Sequence, residues 1–143
     1  MNKNDQFDRT SSLGLLSYGI EFYDSFKLIN DQEPKITKLT PVKYFLLSHA
    51  IELALKAILR KNGKTIDEIK NFGHDIDQLA IEVSWSNNLL LNDNEKAILK
   101  VTNDYYKKKE FEYINVGPKT LPEILDLSTL TGKITKFAQQ IIY

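Results

Sequence analysis

Apolar residues along this chain recur at three- and four-residue steps almost from end to end, the spacing of one face of an α-helix. From about Ser12 to Ile29 the stripe is Leu15, Leu16, Gly19, Phe22, Tyr23 and Phe26. Asn30 to Lys38, with Pro34 inside it, interrupts the pattern and reads as a loop. A second helix is predicted to follow, with Thr40 as its N-cap and Pro41 in its first turn. It runs to about Lys61, where Asn62-Gly63 supplies a stop. This segment is apolar on more than one side, through Phe45, Leu47, Ala50, Ile51, Ala54, Leu55, Ile58 and their neighbours. A helix apolar most of the way round belongs at the centre of a fold.

Thr65 to Lys70 reads as one short helical turn. Asp75 opens the next helix, because Asp75-Ile76-Asp77-Gln78 matches a variant of the capping box. Ile76, Leu79, Ala80 and Val83 form its inner face, and Asn87-Asn88 ends it. A further helix is predicted from about Asn92 to Tyr106, capped by Asp93 or Asn92, with Ala97, Ile98, Val101 and Tyr105 turned inward. Lys107 to Leu121 loses the period, contains Gly117-Pro118 and reads as an ordered extended loop. Pro122 to Ile142 completes the pattern through Leu127, Leu130, Ile134, Phe137 and Ile141. No repeat, low-complexity tract or linker interrupts the 143 residues. The prediction is an all-α fold, an up-and-down helical bundle of about five helices in a single domain spanning 1–143.

Composition narrows the chemistry. Nineteen basic residues balance nineteen acidic ones, so the chain has no global attraction for nucleic acid or an anionic membrane, and any such contact needs a local patch. There is no cysteine, which removes disulfides, thiolate metal sites and cysteine nucleophiles. Met1 to Asp8 is polar, unlike a signal peptide, and no apolar run approaches the roughly 18 residues of a membrane span. A cytoplasmic protein with no membrane contact is expected. No Gly-rich phosphate loop, serine-centred elbow or pair of catalytic carboxylates appears, and no cofactor is implied.

Three polar residues stand out on the central helix. His49, Glu52 and Lys56 sit three and four residues apart and project from one side. One reading is a polar stripe lining a cleft, with His49 exchanging protons near neutral pH. The simpler reading is an i,i+4 Glu52–Lys56 pair with His49 satisfied by a neighbouring helix. The second histidine, His74, precedes Asp75, which an N-cap role accounts for fully. The spacing of the two histidines and Glu52 matches no strong metal motif, so no metal is expected. Lys107, Lys108 and Lys109, between Tyr105-Tyr106 and Phe111, are a possible nucleic-acid contact or a solvated helix end whose cations suit the dipole.

Ser48-His49-Ala50-Ile51-Glu52-Leu53-Ala54-Leu55-Lys56-Ala57-Ile58-Leu59, then Gly63, then Gly73-His74-Asp75-Ile76-Asp77-Gln78-Leu79, resembles the HEPN superfamily. Tyr105-Tyr106, Phe111-Glu112-Tyr113 and Leu121-Pro122 are similar to the tail of such domains. The resemblance spans most of the chain, and its sharp part is a core of roughly 35 residues. It implies a bundle of four or five helices that often dimerises. Many relatives are metal-independent ribonucleases of toxin–antitoxin, abortive-infection and CRISPR-linked systems. Their site uses an arginine, with a histidine four to six residues after it, and two such sites meet across a dimer.

This chain departs from that pattern. Its arginines are Arg9 and Arg60, and neither is followed by a histidine at that distance. No guanidinium is therefore locally available to clamp a phosphate beside an imidazole, and Lys43, six residues before His49, offers only a point charge. The expectation is a noncatalytic HEPN-like binding or accessory module in a prokaryotic defence, toxin–antitoxin or RNA-related setting. Its binding cleft would be formed by His49, Glu52, Lys56, His74 and Asp75, its state a homodimer, and its partner RNA or a protein. The alternative is a divergent metal-independent ribonuclease using His49 and His74 as acid and base.

Overall fold

A computed structural model describes residues 10–32, 40–112 and 120–143. The loop containing Pro34, the extended reading of 113–119 and Arg9 lie outside these residues. The described residues form six α-helices and no strand: α1 (Ser12–Asn30), α2 (Thr40–Lys61), α3 (Ile66–Lys70), α4 (Ile76–Asn87), α5 (Asp93–Tyr106) and α6 (Ile124–Ile142). The fold is all-α, with the five long helices of the sequence pattern and α3 as the short turn between two of them.

The helices begin where local hydrogen bonding favours a start. Ser11 caps α1 by accepting from the Gly14 amide at 2.9 Å. Thr65 and Glu68 form a reciprocal capping box on α3, and Asn92 and Glu95 form one on α5. Asn92, rather than Asp93, is thus the α5 cap. α6 starts at Ile124, two residues later than the pattern suggested, with no side-chain cap. Pro122 lies ahead of it, and its carbonyl accepts a hydrogen bond from the Tyr44 hydroxyl.

α2 is the central element and packs against all five other helices. Leu47, Ala50, Ile51, Ala54, Leu55, Ala57, Ile58 and Leu59 on it are fully buried. Named contacts give the directions. Arg60 near the end of α2 reaches the Thr10 carbonyl ahead of α1, while Lys43 near its start reaches Asn30 at the end of α1, so the two helices are antiparallel. Asn62 just after α2 pairs with Asn87 at the end of α4, and Glu52 midway along α2 meets His74 just before α4. α2 and α4 therefore run the same way, because α3 carries the chain back along α2. α5 returns, so its last residue, Tyr106, arrives beside Glu52.

The inner face of α4 is Ile76, Leu79, Ala80 and Val83, as its period predicts. α5 differs from expectation. Its buried residues are Leu99, Thr102, Asn103 and Tyr106, while Ala97 is exposed and Ile98, Val101 and Tyr105 are half-buried. The helix is turned by about one residue, roughly 100°. Hydrogen bonding explains it. The Thr102 hydroxyl donates to the Ile98 carbonyl, and the Asn103 amide is engaged twice on α4, so both polar side chains are satisfied inside.

Two helix ends use the same stop with different residues. After α2, the Lys64 amide bonds the Leu59 carbonyl and the Gly63 amide the Arg60 carbonyl, with Gly63 at φ 97°. After α5, the Glu110 amide bonds the Tyr105 carbonyl and the Lys109 amide the Tyr106 carbonyl, with Lys109 at φ 60°. Both are Schellman motifs, whose left-handed position suits glycine. Residues 107–112 consequently coil into turns and are not extended as expected. Lys109→Gly relieves the left-handed strain and is expected to raise stability by about 0.5–1 kcal/mol, read from the urea midpoint. Gly63→Lys should lower it by a similar amount.

Candidate functional site

The centre of the site is the Glu52 carboxylate. Its side chain is only 3% exposed, on a helix that is otherwise apolar around it. A buried carboxylate needs donors, because its desolvation costs several kcal/mol. Four groups converge on it. His74 Nδ1 lies 2.6 Å from Oε1, and the Tyr106 hydroxyl donates to the same oxygen at 3.0 Å. Lys56 Nζ lies 3.4 Å from Oε2. His49 Nδ1 is 2.7 Å from the Tyr106 hydroxyl oxygen and 3.9 Å from Glu52 Oε2.

Counting protons orders the chain of donors. A carboxylate only accepts, so the one phenolic proton of Tyr106 goes to Glu52. The Tyr106 oxygen then accepts from His49, which must carry its proton on Nδ1. His74 likewise bears its proton on Nδ1. Both imidazoles are turned so that Nε2 is the ring nitrogen left over. Aromatic rings hold His49 in place, with Phe22 edge-on at 4.5 Å and Phe45 stacked at 5.5 Å between centroids.

Burial grades the network from inside to outside. Lys56 is 13% exposed, His49 23% and His74 43%, so His74 forms the solvent rim. Burial holds the His49 imidazole below its ordinary value of 6.5, and the cations of His74 and Lys56 act the same way, against the opposing pull of Glu52 and Glu112. The Tyr106 phenol is pushed far up by burial and by Glu52, so it stays a donor.

Backbone geometry delivers His74. Gly73 has φ 56°, a left-handed conformation that glycine adopts without strain, and it reverses the chain after α3 so that the next residue falls on α2. Asp75 then caps α4, accepting from the Gln78 amide at 3.1 Å. Asn103 completes the cap, accepting from the Ile76 amide at 2.9 Å and donating to Asp75 Oδ1 at 2.9 Å. Asp75 thus belongs to the helix start beside the network, bonded to α5 and not to Glu52.

His49, Glu52, Lys56 and His74 are brought together. Lys107, Lys108 and Lys109 are not: they are exposed on the turn after α5, and the run reads as a helix stop. Lys43 is engaged by Asn30, and Arg60 donates to the Thr10 and Lys64 carbonyls near the far end of α2, so neither cation joins the imidazoles. Tyr106 and Asn103 are the residues that sequence reasoning missed. The signal for them was positional: with Leu99 and Thr102 they occupy steps of three and four on α5, the register of a buried face.

No family model, curated protein or solved structure matches the chain.

Two stability measurements probe the network. Glu52→Gln puts amide protons among donors that need an acceptor and is expected to cost about 3 kcal/mol, whereas Tyr106→Phe removes one link and costs about 1–2 kcal/mol. The lowered His49 value has a defined sign. Below 6.5 the unfolded imidazole takes up a proton that the folded one does not, so stability falls as pH drops from 6.5 through the lower folded value. The slope contributed is at most about 1.4 kcal/mol per pH unit. His49→Gln should flatten that part of the profile in denaturant titrations between these limits.

Proposed function

We propose that this chain is a noncatalytic HEPN-like module that binds a partner in a prokaryotic defence, toxin–antitoxin or RNA-related system. The observation that carries the proposal is the use to which the polar residues are put. Both imidazoles commit Nδ1 to the Glu52 network, Lys56 lies within it, and Asp75 is consumed as a cap. The residues that support the resemblance thus act first on one another, joining α2, the start of α4 and the end of α5. Arg60, the arginine among the described residues, is engaged elsewhere. A rigid scaffold of this kind presents a surface rather than a phosphate clamp. The exposed edge of His74 marks the part of that surface nearest the network. The chain acts as a homodimer in the cytoplasm under this reading, with RNA or a second protein as its partner.

A second reading is favoured by one feature. His74 is nearly half exposed and its Nδ1 is held by a carboxylate, which fixes the ring and leaves Nε2 as the remaining nitrogen. With His49 as the other imidazole and Lys56 as the cation, this set has the groups of a metal-independent ribonuclease: one ring to take the 2′-hydroxyl proton, the other to give a proton to the leaving 5′-oxygen.

Labelled RNA separates the two. The module reading predicts no cleavage in EDTA by the purified protein, together with partner or RNA binding that His74→Ala weakens at unchanged helicity. Cleavage that persists in EDTA and disappears in His49→Ala or His74→Ala would overturn it in favour of the enzyme. Light scattering at micromolar concentration is expected to return the mass of two chains, and the mass of one chain contradicts the dimer.

A further inference from the structure

A second polar and aromatic cluster lies away from the Glu52 network, in a cleft of about 290 Å³ between α4 and α5. Neither histidine nor Glu52 lines it. Its size is at the lower end of small-molecule sites. Ala80 and Leu99, both buried, make an apolar floor. Trp85, the sole tryptophan of the chain, stands at its edge with 88% of its surface exposed. A tryptophan so uncovered beside an apolar cleft offers a flat face for stacking.

The charges around the cleft restrict what fits. Lys96 and Lys100 are one turn apart on α5, so their ammonium groups can reach one shared acceptor. Asp77 faces them from α4. Among the described residues, none of these three side chains is hydrogen-bonded or in an ion pair within 4 Å, in contrast to Lys133 and Glu95 nearby at 2.9 Å. Among the residues that line the cleft, two cations face one anion. Asp77 disfavours a second negative group and so argues against a polyphosphate or nucleic-acid backbone. Burial, Asp75 and Asp104 push the Asp77 carboxyl upward, against Lys100 and Lys107.

We infer that this cleft binds an aromatic monocarboxylate: a planar apolar ring against Trp85, Ala80 and Leu99, with its carboxylate on Lys96 and Lys100. A ring hydroxyl or N–H would donate to Asp77. The site is independent of the Glu52 network and of the function proposed for it.

The single tryptophan makes the test direct, because the chain has one indole N–H resonance in a nitrogen-15 spectrum. 2-Naphthoate is expected to move that resonance in a saturable way at roughly millimolar concentration. The isosteric 2-naphthylmethanol should bind about fivefold more weakly and 2-naphthylmethylamine more weakly still. The double variant Lys96→Met, Lys100→Met keeps the apolar stems on exposed positions and should abolish the preference for the acid. The inference is overturned if the resonance does not move, if acid and alcohol bind equally, or if the double variant retains the preference. It is also overturned if the resonance shifts with protein concentration alone, which would make the cleft a contact between copies.

Discussion

One buried carboxylate sets the arrangement of the helices around it. Glu52 sits on the most deeply enclosed helix of the bundle, where an unpaired charge would be worth several kcal/mol of destabilisation. Its donors come from three places in the chain: Lys56 on the same helix, His74 ahead of α4 and Tyr106 at the end of α5. Each donor has to arrive at a set height along α2. That requirement accounts for the return of the chain through α3, the left-handed Gly73 and the rotation of α5 that carries Tyr106 inward. Apolar packing alone tolerates a helix turned by one residue. A carboxylate with directional donors does not, and so the network specifies which packing is adopted.

The same constraint separates scaffold from surface. The Asp75–Asn103 clamp closes the start of α4 on one side of His74, and the aromatic rings of Phe22 and Phe45 enclose His49 on the other. What solvent reaches of this assembly is chiefly the His74 ring. The cleft between α4 and α5 follows a different logic. Among the described residues its lysines and aspartate make no hydrogen bond and no ion pair within 4 Å, and its tryptophan is exposed.

Much of this was legible beforehand, and the exceptions have a common cause. Hydrophobic period located all five long helices and the inner face of α4 because apolar residues alone define those faces. The convergence of His49, Glu52, Lys56 and His74 followed from spacing on α2 and from a cap at Asp75 that puts His74 next to a helix start. The rotation of α5 was not legible, because its buried face holds Thr102, Asn103 and Tyr106, and a polar residue inside is identified only by the partner that satisfies it. The partners of Asn103 and Tyr106 lie 27 to 57 residues away along the chain, and Thr102 is satisfied by the Ile98 carbonyl of its own helix. The turns after α5 escaped for a related reason: Lys109 occupies a left-handed position that a glycine would have announced.

The central claim is that His74 and Tyr106 donate to Glu52 while His49 donates to the Tyr106 oxygen, which forces both imidazoles to carry hydrogen on Nδ1. Long-range proton–nitrogen-15 spectra of the two histidine side chains at neutral pH test this most directly, since they distinguish a protonated from a bare ring nitrogen. The account predicts hydrogen on Nδ1 of both His49 and His74 in the native protein, with both rings released from that form in Glu52→Gln. Finding a bare Nδ1 on either ring of the native protein, or no response of the rings to the loss of the carboxylate, would contradict it.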